Sequence, residues 1–219
     1  MRQAHGAEGA GHAVDPRVTR SRAVIVEAAS AHFLEHGYLT ANLDDIAEAA
    51  GVSKRTIYNN YGDKEQLFRE ILREALDTAE RFSLEVVGRL GTSDDVAGEL
   101  HELAQRLAGA VLGGRIVALR RLLIGEATRF PELARDYYLR APGRVVSAIA
   151  DALHRYHERG LLSVDSPAVA AEQFAFLVLG ASLDRALFEV GDVPSRALVE
   201  ARAEAGAAAF LRAYGIASV

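Results

Sequence analysis

The stretch from Asn42 to Tyr61 constrains this chain more than any other, because its residues describe two short helices folded across one glycine. Asn42 suits an N-cap, where its side-chain oxygen can accept a backbone N–H of the first turn. Asp44 and Asp45 follow where the helix dipole favours negative charge, then come Ile46 and Ala47, and Gly51 ends the helix. Ser53 is a second N-cap, opening a helix from Lys54 to about Tyr61. Ala47 stands four residues before Gly51, small enough to let the two helices cross closely, while Val52 and Ile57 fill the space beneath. Gly51 supplies turn backbone that residues with a Cβ resist. Helix, glycine turn and helix at this spacing form the helix-turn-helix motif.

The rest of the chain also reads as helix after helix. Val24, Ile25, Ala28, Ala29 and Phe33 recur with a 3.6-residue period, and Gly37 follows as a C-terminal stop. Asp63 and Gln66 resemble a capping box opening a fourth helix, whose apolar stripe is Leu67, Phe68, Ile71, Leu72, Ala75 and Leu76. After a polar break at Gly91–Asp95, helical patterns run over Val96–Leu112 and Ile116–Phe130, separated by Gly113 and Gly114. Pro131 opens the next, and Pro142 with Gly143 should kink or split it before Val145–Arg159. Ser166–Pro167 opens a helix running to about Val190, and Pro194–Ser195 opens the last, to about Tyr214. There is no internal repeat and no convincing strand pattern. The expected fold is all-α with about nine helices: a disordered arm over 1–16, a three-helix helix-turn-helix domain over 17–64, and a larger helical domain over 65–219.

Composition closes several alternatives. Without cysteine, a disulfide framework, a thiolate metal site and a cysteine nucleophile are impossible, and a reducing cytoplasm fits best. The leader lacks the apolar run of a signal peptide, and Phe174–Ala181 is far shorter than the roughly 20 residues that span a bilayer. The net charge of −5 argues against a protein that coats nucleic acid, yet no acid lies between Glu48 and Asp63, where Lys54 and Arg55 sit. One local stretch can therefore face a polyanion while the rest stays acidic.

The second short helix leaves over Lys54, Arg55, Thr56, Tyr58, Asn59 and Asn60, the cations, amides and hydroxyls that read base edges and phosphates in the major groove. Tyr61 fits core packing better. Lys64 stands at the start of the fourth helix, where free N–H groups already favour a phosphate. The DNA-binding candidates are thus Lys54, Arg55, Thr56, Tyr58, Asn59, Asn60 and Lys64.

The run Gly37-Tyr38, Leu43-Asp44-Asp45-Ile46-Ala47, Ala50-Gly51-Val52-Ser53-Lys54, Thr56-Ile57-Tyr58, Tyr61 and Lys64-Glu65-Gln66-Leu67-Phe68 resembles the DNA-binding domain of the TetR family of transcriptional regulators. Ala41 and Arg55 depart from that pattern, which commonly has threonine and glycine there, and Arg55 suggests a distinct operator. Leu122–Tyr138, with Glu126, Phe130-Pro131-Glu132-Leu133-Ala134 and Tyr137-Tyr138, resembles the AefR-like C-terminal subgroup. The resemblance implies that Lys54, Thr56, Tyr58 and Asn60 approach double-stranded operator DNA and that Lys64 contacts a phosphate. It further implies a homodimer through the last two helices, repression of nearby genes, and release when a small effector enters the helical domain.

Beyond that resemblance, Phe130, Tyr137, Tyr138, Phe174 and Phe176 are candidate walls of an effector cavity, which would favour a hydrophobic ligand. Arg115, Arg120, Arg121, Glu126, Arg129 and Glu132 could include a buried polar group that orients it, although such residues are more often surface ion pairs. Ala201, Ala205, Gly206, Ala208 and Ala209 allow a close partner helix, from this chain or another. No cofactor or membrane partner is implied. His154 and His157 near Glu158 lack the four-residue spacing and the second cluster of a metal site, and Gly113–Gly114 lacks the Lys-Ser or Lys-Thr sequel of a phosphate loop. No acid–base or nucleophile set supports an enzyme. The remaining alternative is a helical protein-binding adaptor without DNA binding.

Overall fold

A computed structural model describes residues 16–84, 90–191 and 193–216. The stretch expected to be a disordered arm, 1–16, lies outside these except for Pro16. Ten helices occur among the described residues: α1 Pro16–Thr40, α2 Leu43–Ala49, α3 Lys54–Tyr61, α4 Lys64–Phe82, α5 Val96–Leu112, α6 Arg115–Glu126, α7 Pro131–Arg140, α8 Pro142–Glu158, α9 Pro167–Phe188 and α10 Arg196–Tyr214. The only extended pairing there is an isolated antiparallel bridge between Leu162 and Gly215. Pro142, which has no N–H to give an interior turn, splits α7 from α8 and accounts for the helix beyond the expected nine. Gly37 ends the first helical segment of α1 as expected: it is not helical, at φ 79°, ψ 169°, and a second short segment follows it to Thr40.

The chain divides into two compact units between Phe68 and Arg69, inside α4. In the first unit α1, α2, α3 and the start of α4 enclose Ile25, Phe33, Ile46, Ile57, Leu67 and Phe68, all fully buried. The Phe33, Tyr38 and Phe68 rings meet with centroids 5.1 to 5.8 Å apart. The turn after α2 is a Schellman motif: the Val52 N–H donates to the Ala47 carbonyl and that of Gly51 to Glu48, both at 3.0 Å. It needs a left-handed residue, and Gly51 adopts φ 65°. Both expected caps form, since Asn42 Oδ1 accepts from the Asp44 N–H at 3.0 Å and Ser53 Oγ from the Thr56 N–H at 3.1 Å.

The second unit is a helical bundle around Leu100, Leu103, Ile149, Leu153, Tyr156, Phe174 and Phe210. α10 packs chiefly on α5 and α9, and α9 on α8. Ala203, Gly206, Ala207 and Phe210 form the buried face of α10, so the small residues there serve packing within the chain. Ala201 and Ala205 are exposed. The turn after Leu90 is tied to α8, because Arg155 donates to the Leu90 carbonyl at 2.8 Å and Arg159 to those of Gly91 and Ser93 at 2.9 Å. α9 is interrupted at Gly180, with φ 28° and ψ −129°, a break its apolar composition did not announce. Ser166 holds the N-cap position of α9 without a side-chain cap bond.

Candidate nucleic-acid interface and ligand cavity

Successive residues of α3 advance about 100° around its axis. Ile57 and Tyr61 point into the core, and the Tyr61 hydroxyl donates to the Arg22 carbonyl at 3.2 Å. Arg55 and Asn59 fall on the opposite side and Tyr58 beside it, while Lys54, three and seven residues before Ile57 and Tyr61, opens the helix on their side; all four are exposed. Thr56 and Asn60 are half-buried. Their polar groups are engaged locally: the Thr56 hydroxyl lies 2.8 Å from that of Ser53, and Asn60 Nδ2 donates to the Thr56 carbonyl at 2.8 Å. Four of the six residues expected to face DNA from this helix are therefore exposed, and two are half-buried.

Lys54 reaches back to α2, its Nζ 2.8 Å from Asp44 Oδ2. That hydrogen bond, with the carboxylate's charge, holds the ammonium above the ordinary lysine pKa. Asp44 is thus an internal competitor for any phosphate at Lys54, a relation between two helices that no local pattern announces.

Lys64 has a role that its sequence position does not reveal. Its ammonium donates to the carbonyls of Tyr38, Leu39 and Ala41 at 2.8, 3.2 and 2.9 Å, and lies 4.8 Å from the Tyr38 ring centroid. An ammonium has three N–H donors, and these three carbonyls engage them. Carbonyls at a helix C-terminus lack intrahelical partners and favour a cation. In the DNA-free chain Lys64 is therefore committed to the end of α1, and a phosphate would have to displace one of those bonds. Lys64→Met is expected to lower the stability of the first unit by about 1.5–3 kcal/mol, the worth of a charge-assisted hydrogen bond. Urea unfolding checks this. Unchanged stability, with a DNA salt slope reduced by about 1, would return Lys64 to a phosphate role alone.

The second unit contains a cavity of about 910 Å³ bounded by residues of α4 to α9. Its walls are largely small or aliphatic, with Ala75, Ala79, Ala110, Ala134, Ala150 and Ala175 among them. Of the aromatics expected there, Tyr137, Tyr138 and Phe176 line it. Phe130 and Phe174 do not. Phe130 is the buried N-cap residue of α7, and Phe174 is fully buried against Phe210 with ring centroids 5.2 Å apart. Among the charged candidates nearby, Arg121 donates to the Leu187 and Ala186 carbonyls at 3.0 and 2.6 Å, and Glu132 pairs with Arg69 at 3.2 Å. Arg120 lines the cavity. His154 pairs with Glu158 at 3.5 Å, while His157 Nδ1 accepts from the Val164 N–H at 3.2 Å.

Residues 25–71 match the family of bacterial regulatory proteins named for TetR, and residues 98–216 match the C-terminal domain of AefR-like transcriptional repressors. The chain belongs to the TetR family of transcriptional regulators. One relative, the helix-turn-helix transcriptional repressor SCO4008 of Streptomyces coelicolor, is 30% identical over 75% of this chain and 77% of its own length. A TetR-family regulator from Mesorhizobium loti superposes with a TM-score of 0.82 at 31% identity, covering 92% of this chain and all of that one. The flavonoid-responsive regulator FrrA superposes at 0.67 with 28% identity, covering 91% and 100%. The TetR-type domain spans α2 and α3 whole, so the exposed face of α3 belongs to a DNA-binding helix-turn-helix of a repressor family, and the family's members are regulators rather than enzymes. Among the described residues no helix is long and apolar enough to cross a membrane.

Proposed function

We propose that this TetR-family protein is a ligand-responsive repressor that binds a palindromic operator as a homodimer and leaves it when a small hydrophobic effector enters the cavity of the second unit. The observation that carries the DNA half is the exposed part of α3: Arg55 and Asn59 lie opposite the buried Ile57 and Tyr61, and Lys54 at the helix start and Tyr58 beside them are exposed as well. Arg55 reads bases, Lys54 and Tyr58 hold phosphates, and Thr56 and Asn60 approach the groove edge. An adaptor that binds only proteins has no need of such a face. The large apolar-walled cavity and the flavonoid responsiveness of FrrA support an effector. α4 supplies Ala75, Thr78, Ala79 and Phe82 to that cavity and begins at Lys64 in the first unit, so one continuous helix links effector site and reading head. Switching requires a coupling of only about 1–3 kcal/mol. The protein works in the cytoplasm, where its operator lies.

Selection of bound duplexes from a random pool tests the DNA half. Recovered sequences are expected to be pseudo-palindromic, with half-sites roughly 34–36 Å apart, about one turn of the duplex. Arg55→Ala should relax preference at one position of each half-site, at a cost of about 1–3 kcal/mol if it pairs with guanine. No enrichment at all would leave the adaptor reading standing.

A further inference from the structure

We propose that the effector is an apolar molecule bearing a carboxylate, and that Arg120 receives this headgroup; this rests on reading the cavity as the effector site. Arg120 projects from α6 and is half-buried. Its guanidinium makes no hydrogen bond or ion pair among the described residues, and its Nε is enclosed without a partner. Other arginines of the second unit differ. Arg121 is satisfied by two carbonyls at the end of α9, and Arg155 by the Leu90 carbonyl. Arg202 also has an enclosed, unpartnered Nε, but it lies against Gly180 rather than on the cavity wall.

A guanidinium cannot shed its proton within a protein, so Arg120 keeps its charge while losing part of its hydration. Such a group is costly unless something pairs with it. Its planar fork matches a carboxylate through two parallel N–H···O bonds, and these charge-assisted bonds are about twice as strong as neutral ones. Tyr137 lines the same cavity, is buried, and makes no hydrogen bond through its hydroxyl among the described residues, so it offers a second donor. The cavity's two carboxylates, Glu172 and Asp184, are exposed, and neither pairs with Arg120. A cationic ligand would have to seek those hydrated acids. An anionic one meets a cation already partly desolvated. The small and aliphatic walls take the apolar body, each buried methylene tightening binding about fourfold.

The test uses the full-length chain, freed of co-purified lipid, with decanoate, decanol and decylamine as probes of one chain length and three headgroups, below their micellar concentrations at neutral pH. Calorimetry and thermal melting need no operator. Decanoate is expected to bind roughly 10- to 150-fold tighter than decanol, the range for a hydrogen bond to a charged group, with decylamine weakest. Arg120→Met should bring decanoate and decanol to within about threefold of each other. It should not lower the melting temperature of the ligand-free protein, because no protein partner is lost. Arg120→Lys should keep part of the preference. Equal binding of decanoate and decanol by the unmodified chain would overturn the headgroup assignment and leave the effector site standing. An undiminished preference in Arg120→Met, or a large fall in its ligand-free melting temperature, would overturn the role of Arg120. Binding of none of the three probes would overturn the effector reading together with this one.

Discussion

Ala205→Glu is expected to make the protein monomeric and to weaken operator binding by roughly 10²–10⁴-fold, the avidity gained when two modules engage one molecule together. Two faces of α10 have separate tasks. Ala203, Gly206, Ala207 and Phe210 are buried within the chain, whereas Leu198, Ala201 and Ala205 are exposed at the spacing of one helical stripe. At the end of α9, Phe188 and Val190 are 86% and 78% exposed, more apolar surface than a lone helical unit has reason to show water. In a two-fold dimer each substitution occurs twice, so a single glutamate places two like charges in one interface. Glutamate is a good helix former and Ala205 is exposed, so the isolated chain should fold as before. Light scattering at micromolar concentration, operator titration and a circular dichroism melt read the three consequences. A dimeric mass with undiminished operator affinity would remove α10's outer face from the interface.

The helix-turn-helix was legible because its determinants are local. Asn42, Gly51 and Ser53 each act on backbone within a few positions, and the structure places all three where their chemistry requires. What escaped was made between distant segments. Lys64 gave a correct helix start, but the carbonyls that occupy it belong to residues 38–41 and are not written in any pattern around it. Arg120 and Arg121 look equivalent in sequence. One step of about 100° sends Arg121 to the carbonyls closing α9 and leaves Arg120 on the cavity wall without a protein partner. Aromatic side chains carry an obvious sequence signal for a cavity wall, yet Phe174 fills the core. Space inside a bundle comes from what is too small to fill it, and the alanines lining the cavity look like ordinary helix formers. Gly180 was hidden for a related reason: a glycine inside a long apolar run gives no sign of whether the helix passes through it or breaks.

Gly206→Ala and Gly109→Ala should move stability in opposite directions, although each exchanges glycine for the best helix former inside a helix. At Gly109, on the exposed side of α5, an added Cβ meets nothing within 4 Å. The substitution removes glycine's backbone freedom from the unfolded chain and should stabilise by about 0.5–1 kcal/mol. At Gly206 the same atom would stand 2.6 Å from the Leu177 carbonyl oxygen and 2.9 Å from the Val178 Cα. These are backbone atoms of α9, which cannot swing aside as a side chain would, so α10 must back away from α9 and loosen Ala203, Ala207 and Phe210 with it. Overpacking of this kind costs about 1–3 kcal/mol. Backbone against backbone puts Gly206 at the upper end of that range, where the loss outweighs the gain in helix propensity. Urea unfolding of the larger unit reads both changes, and light scattering shows whether the loosened α10 still dimerises. If Gly206→Ala stabilised as Gly109→Ala does, α9 and α10 would not approach as closely as the chain's only glycine in α10 implies, and the two-faced reading of that helix would fall with it.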